Sequence, residues 1–315
     1  MKYIWKPLDY FFVMRPILFI PGWSTMLAGY LISKQIMVSN YSESLIFLPT
    51  KTISIMFVCF ALAMGGCFLF NQLEDRQTDR INNKLFLISE GYIAKTEAAV
   101  LAYVLITMAI ITSYFLNAYV LSIIILFIVL TGYIYNYRPF TAKDKPFASM
   151  IANSLMGILA FYIGWFTRFP DGRNPILDII PYFAFNTALY FFTTLPDLHG
   201  DEKSGKRTIA VVYGKNKLIN IACAFYALSL ISAILLTDIQ ALLFIVLTGP
   251  FFILAFIKKD EKSAVLTTKY GILFFALIIC VQLPFYFFLL ILLFILTKWY
   301  YKKRFNFDYP NLKGA

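Results

Sequence analysis

Two short acidic segments carry the residues best suited to chemistry. In the first, NQLEDRQTDRINNK, Asn71, Asp75 and Asp79 stand at i, i+4 and i+8, a spacing that puts all three on one face of a helix. In the second, LPDLHGDEKSGKRT, Asp197 and Asp201 stand at i and i+4, with Lys206 and Arg207 just beyond. Each segment ends an apolar run, where a carboxylate is costly to bury unless it is paired or bound to metal. Solvated helix ends, with local pairing to Arg76, Arg80 and Lys203, would account for either segment alone. The repeated Asp-x-x-x-Asp spacing favours a joint role. Magnesium is a hard cation, held by one or two carboxylates plus phosphate oxygens and water. Opposed aspartate faces therefore suit two or three Mg2+ ions around one diphosphate, binding it and neutralising the charge that develops as it leaves. Loss of diphosphate from an isoprenoid chain yields an allylic cation, which aromatic faces stabilise.

The elements that must position these segments are membrane helices. Hydrophobic residues make up 60% of the 315 positions and charged residues 14%, more apolar than a soluble domain of this length requires. Apolar runs of about 17–25 residues, each able to cross about 30 Å of hydrocarbon, recur along the chain. They lie at 16–34, 53–74, 97–116, 118–137, 148–166, 178–196, 217–237 and 240–257, with a last stretch from 266 to 300. Residues 121–130, LSIIILFIVL, do not alternate as barrel strands do, so an all-α polytopic bundle of about nine spans is predicted. The acidic segments end the second and sixth spans, on one predicted side of the membrane.

Basic residues set the expected orientation. Lys2, Lys6 and Arg15 precede the first span; Arg76, Arg80 and Lys84 follow the second; Arg138, Lys143 and Lys145 follow the fourth; Lys203, Lys206, Arg207, Lys215 and Lys217 follow the sixth. These ends are predicted to face the cytoplasm. The net charge of +11 sits in these short loops, so it reads as topology and contact with anionic lipid, and argues against a nucleic-acid partner. The last stretch is long for one crossing and holds Pro284 near its middle. A single bent helix would leave Lys298, Lys302, Lys303 and Arg304 outside, whereas a hairpin would bring them inside. Cys59, Cys67, Cys223 and Cys280 fall within apolar runs without metal-ligand spacing and read as small buried hydrophobes. The first apolar run lacks a small-residue cleavage site, so its helix is expected to stay in the protein.

With these motifs in view the chain resembles the UbiA superfamily of intramembrane prenyltransferases. Asn71, Asp75 and Asp79 match the N-x-x-x-D-x-x-x-D motif; Asp197, Gly200, Asp201, Gly205 and Thr208 match D-x-x-G-D-x-x-x-G-x-x-T. The MRP at 14–16 resembles the family's approach to the first helix, and YNYRPFTAK at 135–143 its Tyr-rich basic segment after the fourth. The resemblance implies one domain over 1–315, built from pseudo-repeat halves of about 1–145 and 146–260 plus a C-terminal helix, around a central cavity with a cytoplasmic cap. It implies Mg2+ bridging both motifs to a prenyl diphosphate, with Asn71, Asp75, Asp79, Asp197 and Asp201 as metal or diphosphate residues and Tyr135 facing the cation. Arg15, Arg138, Lys143, Lys206 and Arg207 are candidates for the diphosphate oxygens, each with an ordinary topology role as the alternative. Tyr133, Tyr137, Tyr162 and Tyr190 are weaker cavity candidates, and His199 reads as a variable position between the aspartates.

Departures bear on the acceptor. Asn82, Asn83, Lys84 and Leu85 replace the proline-containing segment that often follows the first motif, and Gln72 follows Asn71 as in the branch resembling homogentisate prenyltransferases. Gln72 therefore favours a lipophilic aromatic acceptor, a quinone precursor, over a glycerol-phosphate lipid, tetrapyrrole or carotenoid. Two other functions remain open from sequence: a terpene cyclase with the same ionising residues, and a cation-coupled transporter. The clustering of the acids near one membrane face disfavours the transporter.

Overall fold

A computed structural model describes residues 5–37, 45–81, 87–168, 175–203 and 205–311. The predicted roles of Lys2 and of Asn82, Asn83, Lys84 and Leu85 lie outside these. The described residues form helices joined by short turns: α1 Lys6–Phe12, α2 Phe19–Met37, α3 Lys51–Glu74, α4 Arg76–Ile81, α5 Lys95–Tyr114 and α6 Ala118–Ile128, which runs on into a π-turn at Val129–Ile134. There follow α7 Pro146–Arg168, α8 Ile180–Thr193, α9 Leu198–Lys203, α10 Ile209–Leu235, α11 Ile239–Lys258, α12 Glu261–Gln282 and α13 Pro284–Phe305. Among the described residues, eight helical spans are long and apolar enough to cross a membrane, with the shorter Ala118–Ile134 beside them. The protein is a multi-pass, all-α membrane bundle.

Helix starts follow local chemistry. Thr50, Asn117, Asp238 and Asp260 cap α3, α6, α11 and α12, each accepting the backbone N–H three residues on at 2.7–3.3 Å. The predicted last span divides in two. Leu283 leaves the helical region, at φ −126° and ψ 72°, and Pro284 opens α13, where its missing N–H costs nothing. The two helices run in opposite directions. Gln282, closing α12, accepts a bond from Ile46 in the loop before α3, while Tyr300 and Arg304 of α13 reach Asp9 of α1 at 2.6 and 3.4 Å. Lys298, Lys302, Lys303 and Arg304 thus return to the end of the bundle that carries the acidic segments.

Close helix approach shapes the centre. A Cβ on Gly29 of α2 would collide with the Phe161 carbonyl of α7, and one on Gly164 of α7 with the Met26 carbonyl of α2, so the two helices cross backbone to backbone. The bundle holds a polar cavity at the end that carries the acidic segments and an apolar one lined in part by α2 and α7.

Candidate active site

Helix α3 stops at Glu74, yet its face continues. The Asp75 N–H bonds the Asn71 carbonyl at 2.9 Å and the Asp79 N–H bonds that of Asp75 at 2.8 Å, which keeps Asn71, Asp75 and Asp79 in helical phase through the break before α4. The second segment repeats this device: the Asp201 N–H bonds the Asp197 carbonyl at 2.9 Å, and the Lys206 N–H bonds that of Asp201 at 3.0 Å. Both acidic faces line one cavity of ≈ 170 Å³, together with Tyr135, Lys143 and Lys206. Asp79 and Asp201 are buried.

Two ammonium groups occupy the centre. Lys143 and Lys206 lie 3.0 and 2.9 Å from the same Asp75 oxygen, Oδ1. Burial pushes the Asp75 carboxyl up, but the two ammoniums outweigh it and hold the group below the ordinary carboxylate range. For Lys206, burial pushes the pKa down and Asp75 outweighs it, so the ammonium is held above its ordinary value. Asn71 donates from Nδ2 to Asp75 Oδ2 at 2.8 Å, which steadies the carboxylate.

The remaining candidates divide. Arg15, in a left-handed backbone conformation at φ 55°, pairs with Asp79 at 3.3 Å and does not itself line the cavity. Arg138 and Arg207 are exposed and do not line it. His199 is exposed too and faces a separate hollow with Lys215 and Glu261. Of the tyrosines, Tyr135 and Tyr190 line the cavity, held by Asn153 at 3.4 Å and Ser149 at 2.9 Å. Tyr133 and Tyr137 stack on each other, and Tyr162 packs on Phe166. Gln72 donates to the Val13 and Phe68 carbonyls, away from both cavities, joining α3 to the segment before α2.

Sequence reasoning passed over Asp144 and Thr194 and took Thr208 only as a motif match; all three also line the polar cavity. Asp144 stands on a 3-10 turn after Thr141 (φ 40°), 3.7 Å from Lys206. Its position directly after Lys143 was the available signal. Tyr190 lines the apolar cavity as well, a space of ≈ 250 Å³ between α2, α3, α6, α7, α8 and α12 walled by Phe60, Met64, Phe127, Met156, Leu189 and Ile272. A compartment fit for a hydrocarbon chain therefore adjoins the polar site at Tyr190.

The chain belongs to the UbiA prenyltransferase family, whose profile matches residues 23–266. Its fold is that of a UbiA homologue from Archaeoglobus fulgidus, with a TM-score of 0.67 at 18% identity over 90% of this chain and 99% of that one. The same homologue bound to GPP and Mg2+ superposes with a TM-score of 0.63 at 19% identity over the same shares of the two chains. In sequence, the chain is 26% identical over 173 residues to the 2-acyl-4-prenylphloroglucinol 6-prenyltransferase of Humulus lupulus. That match takes in 52% of this chain and 42% of the hop protein, so less than half of the relative is spanned.

Proposed function

We propose that this chain is a Mg2+-dependent prenyltransferase that ionises a prenyl diphosphate in the polar cavity and passes the prenyl group to a lipophilic acceptor, an aromatic quinone precursor. The observation that carries this reading is that Tyr190 lines both an oxygen-rich polar cavity and a neighbouring apolar one. The hop relative's phloroglucinol substrate and the GPP and Mg2+ of the Archaeoglobus homologue support it.

The donor set suits magnesium: carboxylates, one amide and hydroxyls, all hard oxygens. Among the described residues no three acidic, thiol or imidazole groups converge on one point. Asn71, Asp75, Asp79, Asp197 and Asp201 would hold the ions, one or two of these side chains to each, as suits a cation that also takes phosphate oxygens and water. When bound, Mg2+ supplies Lewis-acid neutralisation of the departing diphosphate. Lys143 and Lys206 move from Asp75 to the diphosphate oxygens, and Arg15 holds the Asp79 side chain in place. The bond from prenyl carbon to diphosphate oxygen breaks, Tyr135 faces the cation, and the apolar walls exclude water. An acceptor ring carbon then bonds to the prenyl carbon, and its proton passes to the released diphosphate, restoring the aromatic ring.

Asp75→Ala or Asp197→Ala is expected to lower Mg2+-dependent diphosphate release by about 1,000-fold in protein that still extracts folded; normal release in both ends the proposal. Incubation with a panel of prenyl diphosphates and of aromatic and lipid acceptors, read by mass spectrometry, identifies the product. Cyclic hydrocarbon formed without acceptor would replace transfer by cyclisation. The basic returns of α13 support an acidic end facing the cytoplasm. Cysteines at Gln77 and Lys303 should then label from the cytoplasmic side, and one at Thr237 from the other.

A further inference from the structure

We infer that Asn136 is a positioning residue for metal binding: it orients the Asn71 amide so that Asn71 Oδ1 is presented to the polar cavity. The inference rests on the proposed role of Asn71 as an oxygen donor to Mg2+.

Asn136 is 2% exposed and its amide is fully engaged. Nδ2 donates to the carbonyls of Thr131 and Gly132 at 2.8 and 3.1 Å, and Oδ1 accepts from Asn71 Nδ2 at 2.9 Å. The π-turn at Val129–Ile134 creates this demand. The Tyr135 N–H bonds the Leu130 carbonyl, five residues back, and the N–H groups of Asn136 and Tyr137 both go to Tyr133. The Thr131 and Gly132 carbonyls are thus met by the Asn136 side chain, as orphan carbonyls at a helix end require.

An asparagine amide has one donor end and one acceptor end. Flipping Asn136 would set its oxygen against two carbonyl oxygens, so only oxygen can face Asn71. Asn71 must then present Nδ2 to Asn136, and the other Nδ2 hydrogen goes to Asp75 Oδ2 at 2.8 Å. Both donors are spent on protein acceptors, and the remaining polar atom of a side chain that lines the cavity is Oδ1. A rotated amide would offer N–H groups, which a cation rejects. The same chain of bonds leaves Asp75 Oδ1 as the atom turned to cationic partners, where Lys143 and Lys206 now sit.

A helix cap alone would explain the two carbonyl bonds, so the test must separate capping from positioning. Mn2+ serves as the probe, titrated by electron paramagnetic resonance into the full chain in detergent. Asn136→Ala is expected to weaken Mn2+ about tenfold, the range for partners that orient metal ligands. Asn71→Asp, with Asn136 intact, should bind Mn2+ more weakly than wild type despite its added charge, because a carboxylate oxygen then faces Asn136 Oδ1. Adding Asn136→Ala to Asn71→Asp should tighten Mn2+, since a carboxylate needs no orienting and the repulsion is gone. Equal weakening by Asn136→Ala in both backgrounds, or tighter binding by Asn71→Asp alone, overturns the inference; the latter needs no change at Asn136 and so stands if Asn136→Ala does not fold. Unchanged Mn2+ binding in Asn71→Ala would instead overturn the role of Asn71, and the inference with it.

Discussion

The polar and apolar cavities share Tyr190 and little else. In the polar one, charged side chains from the ends of α3 and α8 and the turns beyond them are held by named partners: Asp75 by Lys143, Lys206 and Asn71, Asp79 by Arg15. The apolar one is walled by side chains from six helices, with isolated polar groups such as Asn186, which donates to Thr25 at 2.9 Å. One compartment specifies a reaction by fixed charge, and the other specifies a molecule by shape. Mutations should therefore separate bond breaking from substrate choice.

Lys206→Met gives the larger effect and has two opposite signs. Prenyl diphosphate turnover should fall by about 100-fold through loss of a charge on the leaving group. Mn2+ binding in the absence of diphosphate should tighten several-fold, because Asp75 Oδ1 loses a competing ammonium. Weaker Mn2+ binding in this variant would show that Lys206 supports the metal instead of standing in for it.

Gly157→Leu probes the other compartment. Gly157 lines the apolar cavity, and a Cβ there would stand 3.4 Å from Asn186 Nδ2, so a leucine extends into the space. The ratio of kcat/KM for the longest to the shortest accepted prenyl diphosphate should drop about tenfold, the scale of lost methylene contacts. Mn2+ affinity should not move. A Mn2+ shift as large as that of Lys206→Met would mean that the cavities act as one.

What was legible in the sequence follows the same division. Asn71, Asp75, Asp79, Asp197 and Asp201 were findable because helical phase persists through the break after Glu74 and from Asp197 into α9, so linear spacing reports a shared face. Basic residues were harder: Lys206 and Arg207 are adjacent, but only the first turns inward, and sequence offers no phase in a turn. Asn136 was invisible because its task exists only once the π-turn has displaced the backbone bonds at Thr131 and Gly132. Pro284 was seen, yet composition does not tell a bend from a reversal; the Asp9–Tyr300 contact, 291 residues apart, decides it. No spacing rule links Gly22, Phe127, Gly157 and Ile272, which meet only in the folded apolar cavity.

The smallest expected effect concerns pH, and it isolates the polar cavity without substrate. Asp75 is held below the ordinary carboxylate value, so its pairing contributes stability above the unfolded value of about 4 and loses it as pH falls through the folded one. Lys206 is held above the ordinary ammonium value, so its contribution is complete below about 10.4 and is lost as pH rises through the folded value. Both terms are present across the neutral range. The difference in thermal midpoint between wild type and Lys206→Met, measured without metal in detergent, should therefore vary by less than about 2 °C between about pH 5.5 and 8.5. The difference should shrink as acid protonates Asp75, and again at the alkaline end as Lys206 loses its proton. Because no Asp or Glu is among the described residues that line the apolar cavity with Gly157, Gly157→Leu should show no such acid limb; a matching limb in both variants would reveal a general acid weakness of the bundle and remove the Asp75–Lys206 pair as its cause.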